Sequence, residues 1–226
     1  MTISVGPGWT VGPGWTMGGG GGGGPPDPAT NTGGISLAVI SGAPQILYPA
    51  VNVYSGTYNT KFIINPASTY GTPSGFTFFN IPTWDWNGSY DPTYVSVTTT
   101  YNTDDTATAL AAGNNAVTGF YRFAPYGIEP GTKRMFSVTH TTWSGDPSHD
   151  GVGVASGDLD FYGSGKFLGI DNLAVSIYDD GSVWTNTASV DSGYAIFETN
   201  GQIIDVAVDT VNYKMWYRVA GGAWQG

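Results

Sequence analysis

Ile203-Ile204-Asp205-Val206-Ala207-Val208-Asp209-Thr210-Val211-Asn212-Tyr213-Lys214-Met215-Trp216-Tyr217-Arg218-Val219-Ala220-Gly221-Gly222-Ala223-Trp224 reads as two strands, Ile203 to Asp209 and Lys214 to Val219, joined by a polar turn. From Ile204 to Asp209 apolar residues alternate with Asp205 and Asp209. Side chains along a strand point to opposite faces in turn, so this pattern predicts a half-buried strand with its carboxylates on the solvent side.

The same kind of run recurs upstream. Ile35 to Ile40, Ala50 to Tyr54, Lys61 to Asn65, Phe76 to Phe79, Tyr94 to Tyr101 and Thr118 to Phe123 are short, β-branched or aromatic, and bounded by Gly, Pro, Asn and Ser. Arg134 to Thr141, Gly151 to Ala155, Leu173 to Tyr178 and Ser182 to Thr185 continue the series. Asp179-Asp180-Gly181 between two such runs predicts a hairpin turn, because Asp-Gly accepts a positive φ, with Tyr178 and Val183 pairing across it. Helical periodicity is nearly absent; the one candidate, Asp104 to Ala112, rests on alanine content and is cut at Gly113. Many short strands separated by turn signals predict an all-β antiparallel sandwich or barrel.

Residues 1–26 have another character. Val-Gly-Pro-Gly-Trp-Thr occurs twice between Val5 and Thr16, and glycines run from Gly18 to Gly24 before Pro25-Pro26. Glycine loses the most entropy on ordering and proline donates no ladder hydrogen bond, so this arm cannot fold alone. It can order against a groove or a sister chain, with Trp9 and Trp15 as apolar anchors and the stretch from Gly18 to Gly24 as the extended part. The expected organisation is an anchoring or oligomerising arm over 1–26 and a single β-sandwich domain over 27–226, with an internal joining segment at 80–92.

Composition narrows the partners. Seven Lys and Arg face seventeen Asp and Glu, a net charge of −10, and charged residues make up 11% of the 226. Such a field repels phosphate backbones and anionic lipid, so neither nucleic acid nor membrane is expected as a partner. No apolar run approaches the roughly 20 residues a membrane-spanning helix needs. The opening Met-Thr-Ile-Ser-Val-Gly-Pro-Gly has no basic segment followed by an apolar stretch, so a secretory leader is not expected and release by lysis is. Without cysteine there is no disulfide, thiolate metal site or thiol nucleophile.

Three pieces between Tyr94 and Gly226 resemble the front part of a SPRY-like domain, a branch of the concanavalin-like sandwiches. Thr118-Gly-Phe-Tyr-Arg-Phe with Lys133-Arg-Met-Phe-Ser-Val-Thr resembles the family's early paired strands, and Gly151-Val-Gly-Val-Ala the next. The Ile203 to Trp224 block is similar to its most recognisable hairpin, with aromatic residues directed inward. The pieces that follow that hairpin in the family stand here at the other end: Asp27-Pro-Ala-Thr-Asn-Thr-Gly-Gly, Tyr48-Pro-Ala-Val-Asn-Val and Pro73-Ser-Gly-Phe-Thr-Phe-Phe. The order resembles the family's cut and rotated. A single chain folding as a circular permutant satisfies this, and so does a sheet completed by residues 27–79 of a neighbouring subunit. The resemblance implies a concanavalin-like jelly roll that binds proteins or glycans through loops at one end. Low-charge versions fused to glycine-rich arms are similar to bacteriophage virion proteins.

Candidate chemistry is sparse. A glycosidase needs two carboxyl groups about 5 to 9.5 Å apart in a cleft. Glu129 and Glu198 are the only glutamates, and Glu129 precedes a Pro-Gly turn. Asp158 and Asp160 read as a solvated loop or strand edge. His140 and His149 lie in no nucleophile or zinc spacing. Asp146 and Asp150, in Asp146-Pro147-Ser148-His149-Asp150, could offer oxygens to calcium, a solvated turn being the simpler reading. Trp84, Trp86 and Trp143 fall in expected loops, where an indole can stack on a sugar or seal the sandwich edge. No cofactor and no catalysis are expected. The expectation is a virion structural protein, a capsid decoration, fibre or tail appendage, that forms a homo-oligomer, a trimer by the habit of glycine-rich helices, and contacts other virion proteins. The alternative is an adhesin for host surface glycan that uses the loop aromatics.

Overall fold

The computed structural model describes residues 25–40, 42, 45–55, 61–65, 67–79, 85–88, 100–101, 106–108, 117–124, 127–143, 150–157, 168–169, 171–186 and 188–226. Their strands are β1 (Ile35–Ser36), β2 (Leu47–Ser55), β3 (Lys61–Ile64), β4 (Thr77–Phe78), β5 (Asp85–Gly88), β6 (Thr100–Tyr101), β7 (Thr106–Thr108) and β8 (Val117–Ala124). They continue as β9 (Lys133–Thr142), β10 (Gly151–Ser156), β11 (Ala174–Tyr178), β12 (Val183–Thr185), β13 (Ala188–Asp191), β14 (Gln202–Asp209) and β15 (Lys214–Val219). No helix occurs among the described residues.

Two sheets, antiparallel but for one short pairing, carry the fold. One runs β1-β15-β14-β9-β3-β7-β6, with β4 added to β9 in parallel; the other runs β13-β12-β11-β10-β2-β8-β5. Phe136, Val138, Ile204 and Val206 of the first sheet join Val51, Val152, Val154 and Ile177 of the second in one apolar cluster. Two sheets that share a core in this way make a sandwich-like architecture. Burying side chains of this size contributes about 1.5–3 kcal/mol each.

The far face of the first sheet is buried as well, which corrects the expectation of a half-buried β14. Asp205 and Asp209 are both 0% exposed. Each has a cation on the adjacent strand: Arg218 Nε lies 2.8 Å from Asp205 Oδ2, and Lys133 Nζ 2.8 Å from Asp209 Oδ2. The chain also crosses this face twice. Thr32 O accepts a hydrogen bond from Trp216 Nε1 at 2.9 Å, and Phe76 packs edge-on against the same indole. A carboxylate needs solvent or a partner, and here the partner and the crossing segments replace the solvent.

The two extremities of the described chain meet within one subunit. β1 pairs with β15 through Ile35↔Met215 and Ser36↔Lys214, and Tyr217 bridges to Gln225 further along the same edge. Of the early strands, β2 lies between β10 and β8, and β3 lies beside β9.

Local differences from expectation have local causes. The hairpin turn stands where Asp-Gly predicts it, but Ile177 rather than Tyr178 faces Val183. Tyr178 N donates to Ser182 O and Asp180 Oδ1 accepts from Ser182 N, closing a loop of three residues instead of four. Within Asp104 to Ala112, Thr106–Thr108 is strand, laddered to β3 and β6, so the alanine-based helix candidate gives way to sheet pairing. The joining segment 80–92 contains β5, which pairs with β8.

Candidate functional site

β9 ends at Thr142 and β10 starts at Gly151, and the chain around this end of the sheets holds the one buried imidazole of the described residues. Phe136, Val138 and His140 alternate along β9, so His140 points inward as they do. Phe62 stacks on its ring at 4.5 Å and 12°, and Phe197 meets it edge-on at 5.8 Å. Nδ1 lies 3.1 Å from Phe197 O and Nε2 3.1 Å from Asp150 Oδ2, with both side chains 0% exposed. A carbonyl oxygen only accepts, so Nδ1 faces Phe197 O as a donor while Nε2 faces the Asp150 carboxyl. Both ring nitrogens are committed to protein, so the pair joins β9, the start of β10 and the segment carrying Phe197.

The neighbouring polar groups extend the same stitching. Asp179 N donates to Asp150 O at 2.8 Å, and Phe197 N donates to Asp179 O at 2.9 Å. Trp143 Nε1 donates to Asp179 Oδ2 at 2.8 Å, and its backbone N donates to Asn200 Oδ1 at 2.7 Å. Tyr178 donates from its hydroxyl to Leu168 O; burial, together with the charges of Asp179, Asp150 and Asp180, pushes that phenol far above its ordinary range.

Of the residues singled out from sequence, Trp143 and Asp150 are brought to this one end, linked through Asp179. Asp150 does not have the setting expected for it, and of the two readings of Trp143 its setting is nearer the sealing of an edge. Trp143 is half-buried with its indole N–H engaged, not an open loop platform, and Asp150 is buried against His140 rather than in a solvated turn. The cause is the same for both: the β11–β12 turn and the Phe197 segment close over them. Trp86 lies in β5 with its side chain outside the described set. Trp9, Trp15, Gly18, Gly24, Trp84, Asp146, His149, Asp158 and Asp160 lie outside the described residues. Glu129 is exposed in its turn, where its backbone oxygen accepts from Thr132 and Thr210.

A second constellation lies on the outer face of the first sheet. The Arg218 guanidinium carbon sits 4.5 Å from the centroid of the Trp224 ring and 5.9 Å from that of Tyr70. Its Nε is held by Asp205 and its Nη2 donates to Gly71 O at 2.6 Å. Tyr70 is 42% exposed and packs on Gly221, where a Cβ would come within 2.5 Å of the ring. Trp224 stood in the sequence only as the end of a hairpin block, and nothing around Tyr70 marked it. The two are brought together by a crossing of the sheet that no local pattern encodes.

No protein-family model, no curated protein and no solved structure matches the chain.

Proposed function

We propose that this chain is a non-enzymatic structural protein of a bacteriophage virion, displaying a concanavalin-like or SPRY-like sandwich and attached through the glycine-rich arm of residues 1–26. The observation that carries the reading is the place of Pro26 in the fold. Pro26 lies beside Gly226, each within 3.2 Å of the position a Cβ on Gly33 would take, and β1 then seals the edge of β15. Residues 1–24 would therefore leave the sandwich at the β1 edge of the first sheet. The use of the buried acids supports a structural role: Asp205, Asp209 and Asp150 each sit against a basic side chain of the fold itself. The order of the strands supports the rotated family pattern, since the segment after Pro26 lies beside the one leading to Trp224.

The test is deletion of residues 1–24. Purified particles carrying the deletion are expected to lack this protein while the deleted chain keeps the β-type circular dichroism and cooperative melting of the full chain. Incorporation at the wild-type level would overturn the attachment.

A further inference from the structure

We propose that Tyr70, Arg218 and Trp224 form a docking platform for the Gly-Pro-Trp repeats of residues 5–16. The inference rests on the reading of residues 1–26 as an attaching arm and names the surface that the arm engages.

Three observations carry it. The first is chemical: the Tyr70 hydroxyl and the Trp224 indole N–H find no partner among the described residues, so two aromatic rings present unused donors beside a fixed guanidinium. Exposed aromatic rings with such donors are how proteins hold proline-containing extended segments, whose carbonyls are unpaired and whose apolar rings lie flat on indole and phenol. The repeats supply Pro7 and Pro13 for these rings and Trp9 and Trp15 to pack beside them.

The second observation is electrostatic. The one cation of the platform is already balanced by Asp205 at 2.8 Å, so the surface suits an occupant without charge. Residues 2–24 contain no Asp, Glu, Lys or Arg.

The third is reach. The described chain starts at Pro25 and Pro26 lies against the same glycine as Gly226, two residues beyond Trp224. The nearer repeat ends at Thr16, and the residues between it and Pro25 span up to about 30 Å when extended. That covers the distance back to a platform that the chain's own C-terminal residues help to build. The platform is also preorganised: Gly221, at φ 72°, lets the Tyr70 ring lie flat, and two hydrogen bonds fix Arg218, so little order has to be imposed on binding.

The chain contains no cysteine, so Thr10→Cys carries a single nitroxide on the full-length protein. Amide signals of Tyr70, Gly71, Ala220, Gly221 and Gln225 are expected to lose most of their intensity, and those of Asn200 and Gly201 to keep it. Mixing nitroxide-bearing chain with isotope-labelled chain lacking the nitroxide assigns the occupant to the same or a neighbouring copy, and either result supports the platform. Trp224→Ala is expected to lower the docked population about tenfold, as loss of a central aromatic anchor does. Tyr70→Phe and Trp224→Phe keep the packing and are expected to weaken docking less. Broadening spread over the whole surface, centred elsewhere or absent would overturn the platform. If deletion of 1–24 still abolishes incorporation in that case, the arm attaches by another surface and the functional reading stands.

Discussion

Asp205 and Asp209 stand four residues apart on one face of β14, both buried, and their protons are held in opposite senses. At Asp209 burial pushes the carboxyl up, but hydrogen bonds from Lys133, from the Asn212 side chain and from the backbone N–H groups of Asn212 and Val211 outweigh it and hold the group below its ordinary value. At Asp205 burial is the larger effect, opposed by Ser137 and Arg218, and the carboxyl is raised; its Oδ1 has no hydrogen-bond partner. The linkage signs follow. A lowered carboxyl adds stability above the unfolded value of 3.8, and this is lost as pH falls through the folded value. A raised one adds stability that is complete below 3.8 and is lost as pH rises through the folded value. Asp209→Asn is therefore expected to cost about 2 kcal/mol at pH 7, with the deficit shrinking toward pH 3. The deficit of Asp205→Asn is expected to run the other way and to be larger at pH 4 than at pH 7. Urea unfolding of the three proteins at these pH values checks both. Parallel pH dependence of the two deficits would contradict the opposed settings.

Strand β10 carries two glycines on one face that the packing treats differently. A Cβ at Gly153 would lie 2.0 Å from Val175 O and 2.7 Å from Ser176 Cα, both backbone of β11, whereas at Gly151 the nearest atoms lie at 3.4 Å. Gly153→Ala must push two central strands apart, at about 1–3 kcal/mol. In a chain of this size that is a fall in Tm of about 3–10 °C. Gly151→Ala is expected to stay within about 1 kcal/mol of wild type, and differential scanning calorimetry of the pair decides the point. This contrast marks the boundary of what the sequence made legible at the level of elements. Alternation and turn residues located β9, β10, β11, β12, β14 and β15 well, because their apolar faces are continuous with the core. β13 was missed because its Ala-Ser-Val-Asp is largely exposed and carries no alternation. The run read from residue type alone began at Ala50, past Pro49, whereas β2 begins at Leu47. Leu47 N donates to Ile128 O, away from β10, and Pro49 faces the same side, where pairing with β8 begins only at Ala50, so its missing N–H breaks no ladder bond. The burial of Asp205, Asp209 and Asp150 was illegible for a different reason. Each depends on cover from a segment distant in sequence, and a local pattern shows a carboxylate but not what lies over it.

For the whole molecule, the pairing of β1 with β15 makes the position of the chain break a matter of connection and not of packing. Ile35, Met215 and Tyr217 belong to the same apolar cluster as the centre of both sheets, so the seam between early and late segments is part of the core. Pro26 and Gly226 are adjacent at that seam, so a short glycine-serine linker from Gly226 to Pro25 closes the chain without stretching it. Opening it between Phe79 and Asp85 then leaves β5 on the side of β8, its partner, and β4 on the side of β3. The permutant running from Asp85 through Gly226 and the linker to Phe79 lacks residues 1–24 and keeps every strand pairing described above. It is expected to fold cooperatively, with a loss of about 1–3 kcal/mol and a Tm lower by about 3–10 °C, because only local connections change. Circular dichroism and thermal unfolding of the permutant measure this directly. A chain that stays unfolded or melts without cooperativity would mean that the continuous run from β4 to β5, and not the seam at β1 and β15, is what holds the two sheets together.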